Sequence, residues 1–265
     1  MHSFRKTGNL VAALALAAAP LSLALPSSAY AETAAVAAAP AHQYQSVADF
    51  YKARKNALLW FSPDAGDSAQ ELVKLLRTAN IDGLDPNRYF SLPLQAALAK
   101  ARDGKHKDVL RADEMLSQAF AAYVEDLRTD PGVGLTWVDP DLKPKQPTPQ
   151  AALLEAAAAP SLSEYVTEMG WMHPIYGELR DAIAEHKYSD DHQREILELN
   201  LTRARILPAG KQRYILVNAA QQRLFMYQDR KAVDSMVVVV GKTKYPTPMM
   251  AAEITYAALN PYWYV

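Results

Sequence analysis

The sequence contains no cysteine among its 265 residues. Disulfide bonds, thiolate metal sites and catalysis by a thiol within these residues are therefore excluded. The sequence also lacks a P-loop and a G-x-S-x-G motif, so it indicates neither that type of nucleotide binding nor a serine hydrolase. The formal net charge is −1, which gives no reason to expect nucleic acid as a partner.

Long apolar runs are absent beyond the N-terminus. The one candidate spans residues 10–25 and is shorter than the roughly 20 residues that a membrane span needs. It follows Arg5 and Lys6 and precedes a small-x-small site, as in secretory signal peptides. An uncleaved membrane anchor is the alternative. We predict a signal peptide over residues 1–31, cleavage after Ala31, and a periplasmic mature protein without a transmembrane span.

The composition is that of a soluble globular protein, with half of the residues apolar and 22% charged. The length permits one large domain or two of moderate size. Residues 32–43 are rich in alanine and are expected to form a loose leader. Beyond the leader the apolar residues recur with a helical period, which predicts an all-α region over residues 44–208.

Local signals place individual helices within that region. Ser68 and Glu71 have the spacing of a capping box, followed by one apolar face. The strongest helical stripe lies between Ala112 and Leu127 and indicates packing against other helices. The proline-rich stretch 130–149 predicts an extended loop on the surface. A final helix is predicted from about Asp190 to Arg205.

The apolar period changes from helical to alternating after Pro208-Ala209-Gly210. Four strand-like segments follow, at residues 214–217, 223–228, 232–240 and 253–259. Val237 to Val240 is continuously apolar, which predicts a strand that is buried on both faces. We place a domain boundary near residue 209 and assign the chain to the α+β class, with helices first and a β-rich region over residues 209–265.

The histidines form no recognisable metal or catalytic pattern. His173 precedes a proline and could either pack in the core or cap a helix. His186 and His192 lack the i, i+4 spacing of a helical metal pair. His106 lies in a charged, loop-like stretch, where solvation is expected. No metal site and no cofactor are predicted.

Two apparent catalytic motifs are better explained otherwise. Ser3-x-x-Lys6 matches a motif of penicillin-binding enzymes, but it lies inside the predicted signal peptide. Asp139 and Asp141 could form a glycosidase pair. Pro140 separates them in an exposed loop, so turn formation is the favoured interpretation.

Five segments in order resemble a known family. Four of them are DSAQELVKLLRTANIDGLDPNRYF from Asp67, ADEMLSQAFAAYVEDLRTD from Ala112, WMHPIYGELRDAIAEH from Trp171 and ILELNLTRARILP from Ile196. The fifth runs from RYILVN at Arg213 to NPYW near the end of the chain. Together they resemble the L,D-transpeptidases in which a scaffold domain precedes a YkuD-type catalytic domain. The resemblance implies a scaffold domain over residues 44–208 and an incomplete catalytic domain over residues 209–265.

The resemblance also implies a reaction for which these residues lack the nucleophile. Members of the family cross-link peptidoglycan through a cysteine thiolate that is paired with a histidine. The thiolate attacks the carbonyl before the terminal D-alanine of a donor stem peptide, and an acceptor amine then resolves the acyl-enzyme. The family's His and Cys motif would lie after Val265. We therefore expect a truncated, inactive member whose substrates, by resemblance, are peptidoglycan stem peptides.

The resemblance implies a site role for one cluster, Asn260, Tyr262 and Trp263, beside the substrate groove; packing within the domain is the alternative. The larger members carry a peptidoglycan-binding module where this chain has only residues 187–195, too few to fold. The alternative function is a non-catalytic periplasmic module that binds other proteins of cell-wall synthesis.

Overall fold

A computed structural model describes residues 46–259. The first part of this range is helical except for one two-residue strand, and the remaining strands lie in the second part, which confirms the α+β class. The helices are α1 (Val47–Ala53), α2 (Ser68–Arg77), α3 (Pro86–Tyr89), α4 (Leu92–Ala101), α5 (His106–Leu127), α6 (Pro149–Ala157), α7 (Leu162–Thr167), α8 (Pro174–Ala184) and α9 (Asp191–Ala204). The strands are β1 (Thr136–Trp137), β2 (Tyr214–Asn218), β3 (Arg223–Gln228), β4 (Lys231–Val237) and β5 (Met250–Ala251). Within residues 46–259, no helix is both long and apolar enough to cross a membrane.

Helix α5 forms the centre of the helical core. It packs against α1, α2, α3, α4 and α6, and its predicted apolar stripe between Ala112 and Leu127 is confirmed as the buried face. The ring of Phe120 contacts Trp60 and Trp171 edge to face, with ring centroids 5.2 and 5.1 Å apart. Such aromatic pairs stabilise a core by about 0.5–1.5 kcal/mol each beyond the burial of their area. The core therefore joins segments from three distant parts of the sequence.

Two local predictions in this region are wrong. Helix α2 begins at Ser68, after Asp67, and the predicted capping box of Ser68 with Glu71 does not form. The Ser68 hydroxyl is buried and instead donates to the carbonyl of Trp60 at 3.4 Å. His106 is exposed, as expected, but it is the first residue of α5 rather than part of a loop.

Strands β2, β3 and β4 form an antiparallel sheet in that order. Tyr214 lies opposite Tyr227 in the register of β2 and β3. The two-residue turn Asp229–Arg230 joins β3 to β4, and both turn residues have positive φ angles of 49° and 66°. A left-handed conformation at both positions matches the twist of a hairpin. The predictions of β2 and β3 are thus confirmed.

Two predictions for the end of the sheet are wrong. Val237 ends β4 and is 73% exposed, and Val239 is fully exposed, so the run from Val237 to Val240 is not a strand buried on both faces. An apolar run indicates burial only where another element covers it, and among residues 46–259 no element covers this run. Residues 253–259 have no regular structure; the short strand lies earlier, at β5.

We expect limited proteolysis to remove the sheet before the helices. Apolar side chains of the sheet are exposed, including Ile215, Val217 and Met236 at 43–46%, whereas the helical core is enclosed. Regions with few buried apolar contacts open locally at low free-energy cost. Digestion with trypsin and, separately, chymotrypsin should leave a fragment of about residues 44–208 by mass spectrometry. A resistant fragment that extends to Val265 with both proteases would contradict this expectation.

Candidate functional site

A buried carboxylate, Asp113, lies in the first half of α5 and is fully enclosed. One of its oxygens accepts hydrogen bonds from the backbone N–H of Trp60 and Phe61, at 2.8 and 2.9 Å. The other accepts from the N–H of Leu59 at 2.8 Å and from the hydroxyl of Tyr51. Burial and then the charge of Asp113 raise the pKa of Tyr51. The carboxylate thus organises the loop between α1 and α2.

A second buried carboxylate, Asp82, joins three elements of the helical core. It accepts hydrogen bonds from the hydroxyls of Tyr123 and Tyr176, both at 2.7 Å. The Nε of Arg180 donates to it at 3.0 Å, in a buried ion pair. Arg180 also donates to the carbonyl and hydroxyl of Thr78, at 3.0 and 2.8 Å. Burial alone would lower the pKa of Arg180, but the charge of Asp82, its hydrogen bond and the neighbouring Tyr123 and Tyr176 together outweigh burial and raise that pKa.

Neither carboxylate is placed for acid–base catalysis. General acids and bases must lie within hydrogen-bond reach of a substrate. Asp82 and Asp113 are enclosed, and their oxygens already bind several internal donors. Their arrangement is that of structural carboxylates, which bring the N–H groups and hydroxyls of distant segments together.

A cavity of about 570 Å³ opens between α8, α9 and the segment that follows α2. Two charged side chains on its floor, Asp82 and Arg205, already have partners within the protein. Asp82 binds Tyr176 and Arg180, and Arg205 donates to the carbonyls of Asp126, Leu127 and Thr129. A ligand site needs polar groups that converge on the ligand. The floor of this cavity is instead part of the helical core.

A cluster of polar and aromatic side chains joins the helices to the sheet. We call this cluster the seam; it consists of His173, Tyr214, Tyr227 and Arg230. His173 immediately precedes α8 and is completely buried. Its Nδ1 accepts a hydrogen bond from the backbone N–H of Ile175 at 3.1 Å, and its Nε2 pairs with the hydroxyl of Tyr214 on β2. The rings of Tyr214 and Tyr227 stack at 4.9 Å, and His173 packs edge-on against Tyr227, also at 4.9 Å. Both alternatives predicted for His173, packing and capping, are confirmed.

Arg230 fixes the tip of the β3–β4 hairpin to the same seam. Its Nη1 lies 2.5 Å from the carbonyl oxygen of Gly170 and 2.8 Å from those of Met172 and Ala209. An arginine with positive φ costs about 1–2 kcal/mol in backbone strain. Charge-assisted hydrogen bonds contribute about 1.5–3 kcal/mol each, so these contacts offset that strain. The hairpin turn is therefore held against the segment that precedes α8.

The seam sets the protonation state of His173. Burial, and then the positive charge of Arg230, lower the pKa of His173 to about 4. Burial raises the pKa of Tyr214 well above its ordinary range, so its hydroxyl stays protonated at neutral pH. The imidazole is consequently neutral at pH 7, with its proton on Nε2 because Nδ1 is an acceptor.

A second link joins the proline-rich loop of residues 130–149 to the segment after β4. Strand β1 pairs in parallel with β5, with Thr136 opposite Met250. A carboxylate oxygen of Asp139 accepts a hydrogen bond from the backbone N–H of Glu253 at 2.7 Å. The base of the loop is fixed by the Asp130–Lys143 ion pair, at 2.9 Å. The predicted loop is confirmed, and Asp139 binds backbone rather than forming an acid–base pair with its neighbour.

The predicted site residues Asn260, Tyr262 and Trp263 lie outside the described residues, and their role stays a prediction. His186 and His192 are exposed. Within residues 46–259, no group of three or more His, Asp or Glu could hold a metal ion. Tyr214, Tyr227 and Arg230 were not predicted from the sequence as residues of the seam. The Asp229–Arg230 dipeptide between two strand-like runs was the available signal for a hairpin tip.

Comparison with protein families identifies two regions of the chain. The model of the scaffold domain matches residues 45–183. The model of the L,D-transpeptidase catalytic domain matches residues 212–265. Comparisons with the curated proteins and with the solved structures found no match. The two regions follow one another in the order expected from the sequence, and the seam around His173 lies where they meet.

Proposed function

Because this chain belongs to the L,D-transpeptidase family in which a scaffold domain precedes a YkuD-type catalytic domain, we propose that it is an exported protein of peptidoglycan remodelling. Its substrates in this proposal are peptidoglycan stem peptides in the periplasm. The basic, apolar and small-residue regions of the predicted signal peptide over residues 1–31 support export. The match of residues 212–265 to the catalytic domain carries the assignment of the substrate class.

The contacts between the two regions support a common function. The sheet of the catalytic region rests on the helices through His173 and Arg230. The proline-rich loop of the scaffold region also pairs with β5. A catalytic domain needs a fixed orientation of its strands, because a reacting group must be held within a fraction of an ångström. We propose that the scaffold domain supplies this orientation through the seam and the loop.

The chemistry itself requires a nucleophile that these 265 residues do not contain. The family reaction depends on a cysteine thiolate, and the sequence has no cysteine. His173 cannot replace the catalytic histidine of the family, because it is buried and both of its ring nitrogens have partners. We therefore propose that the 265-residue chain by itself does not catalyse transpeptidation.

The first experiment is to sequence the locus beyond codon 265 in all three frames and to assay both products. The 265-residue chain is expected to give no cross-linked dimer from disaccharide tetrapeptides by liquid chromatography and mass spectrometry. A longer product with the motif should form the dimer, and its Cys→Ala variant should not. Cross-linking by the 265-residue chain would refute its proposed lack of activity, and a stop codon with no motif in any frame would refute the proposed catalytic role. Recovery of the protein from the periplasm with Glu32 at its N-terminus is the separate test of export.

A second candidate function is a non-catalytic periplasmic module that binds other proteins of cell-wall synthesis. The exposed apolar side chains of β2 and β4, including Ile215 and Val233, favour it, since exposed apolar surface often marks an interaction site. The same sequencing experiment distinguishes the two functions. A stop codon after residue 265 with no further homologous sequence would favour this interaction role.

A further inference from the structure

Both ring nitrogens of His173 form hydrogen bonds when the β2–β4 sheet packs on the helices, an arrangement that we call docked. Nδ1 accepts the backbone N–H of Ile175 and so caps the N-terminus of α8. Nε2 pairs with the Tyr214 hydroxyl on the opposite side of the seam. A neutral imidazole can do both, since it has one acceptor and one donor. The docked geometry therefore requires one tautomer of one protonation state.

Protonation of His173 conflicts with this geometry at three points. A proton on Nδ1 would face the N–H of Ile175 and would remove the helix cap, because two donors would then meet. The positive charge would lie at the positive end of the 11-residue helix α8. It would also be completely buried in the seam and would face the guanidinium of Arg230, which opposes protonation. The ring can gain a proton readily only if it leaves the seam.

The other charged and titratable groups around the seam are few among the described residues. Tyr214 on β2 and Tyr227 on β3 have raised pKa values, because of burial first, and are neutral throughout the acid range. The charge of Glu178 on α8 also raises the pKa of Tyr227. Glu155 on α6 lies near Arg230, and burial raises its pKa. Glu155 therefore also titrates in acid, and an experiment must separate it from His173.

We propose that His173 is a protonation-sensitive latch: the neutral imidazole holds the β2–β4 sheet on the helices, and its protonation releases the sheet while the helical core stays folded. This inference is independent of the proposed catalytic function, because it concerns only how the two described regions hold together. Arg230 favours the neutral form of the His173 ring, because the seam already contains the positive charge of its guanidinium and a second positive charge would be repelled.

The direction of the pH effect follows from proton linkage. Free histidine has a pKa of 6.5, and docking lowers the pKa of His173 to about 4. The undocked state therefore binds more protons between these values, so docking is fully stable above pH 6.5 and weakens as the pH falls towards 4. The docking equilibrium should change by as much as roughly 100-fold across this window.

The test is hydrogen exchange of the full chain between pH 7.5 and 4, corrected for the intrinsic exchange rates. Peptides from β2 to β4 should lose protection as the pH falls below 6.5, while peptides from α5 keep theirs. His173→Gln removes the titrating group and should flatten the pH dependence of the sheet. His192→Gln is the matched control, because His192 is exposed on α9, and it should retain the pH dependence of the parent protein.

An NMR titration of the unsubstituted protein keeps the inference testable even if the His173 variant does not fold. The ring of His173 should remain neutral to well below pH 6, and its protonation should coincide with the loss of amide protection in the sheet. Three results would overturn the latch: titration of His173 near pH 6.5 with the sheet still protected, simultaneous opening of sheet and α5, or a folded His173→Gln variant that keeps the full pH dependence. The last result would place the titration on Glu155 or another carboxylate.

Discussion

Replacing Asp113 with asparagine should lower the free energy of unfolding of the helical domain by about 4 kcal/mol. Each carboxylate oxygen now accepts at least two donors, from Leu59 and Tyr51 on one side and from Trp60 and Phe61 on the other. An asparagine has only one carbonyl oxygen. Its amide group would point two N–H bonds at two other donors, in a place from which water is excluded. The loss is measured by urea unfolding, followed by circular dichroism at 222 nm.

Asp103→Asn is the matched control for this prediction. It makes the same chemical change at an exposed residue after α4 and should change stability by no more than about 0.5 kcal/mol. A loss below about 1 kcal/mol in Asp113→Asn would show that the loop after α1 does not depend on the carboxylate. The urea midpoints of the three proteins give the comparison, provided that their m-values agree.

Replacing Arg180 with methionine should destabilise the helical domain by about 3–5 kcal/mol. Methionine fills a similar volume but leaves the charge of Asp82 buried without its cationic partner. The hydroxyls of Tyr123 and Tyr176 would still donate to that carboxylate, but neutral donors do not balance a buried charge. The Thr78 groups that now accept from Arg180 would also lose their donor. Thermal and urea unfolding measure the effect.

Two further variants separate the ion pair from the loss of side-chain volume. The double variant Asp82→Asn/Arg180→Met removes both charges and should be less destabilised than Arg180→Met alone, since no unpaired charge remains. Lys74→Met breaks the exposed Lys74–Glu71 ion pair, at 3.6 Å, and should cost about 0.5 kcal/mol or less. A double variant that is at least as unstable as Arg180→Met alone would exclude charge compensation as the cause.

The periodic features of the fold could be predicted from the sequence. The stripe in α5, the final helix at α9, and strands β2 and β3 were each visible as a repeat of 3.6 or 2 residues. Such patterns report which side of an element is apolar, and that property is local. The predicted Ser68 cap is wrong because the Ser68 hydroxyl binds the carbonyl of Trp60, which lies outside its own helix. A local pattern does not reveal such a partner.

Pairings between distant segments could not be predicted in this way. Asp113 lies in an otherwise apolar stripe, and its backbone partners lie 52–54 residues earlier. The pairing of β1 with β5 joins segments more than one hundred residues apart. The run from Val237 to Val240 looked buried because of its composition, yet exposure depends on what covers it. Contacts between distant residues, and the element that covers an apolar run, produce no periodic pattern in a single sequence.

The fold class, the succession from a helical to a β-rich region, the family, and the lack of a thiol nucleophile in these residues could all be read from the sequence alone. These follow from local periodicity, from residue type and from short segments in a fixed order. The structural role of the carboxylates of Asp82 and Asp113, in contrast, became visible in the tertiary structure alone. It alone also showed that His173 is a neutral, buried contact between the two regions, and that Arg230 fixes the hairpin tip. Burial and hydrogen-bond partners set the protonation state and role of a polar side chain, and both depend on residues that are distant in the sequence.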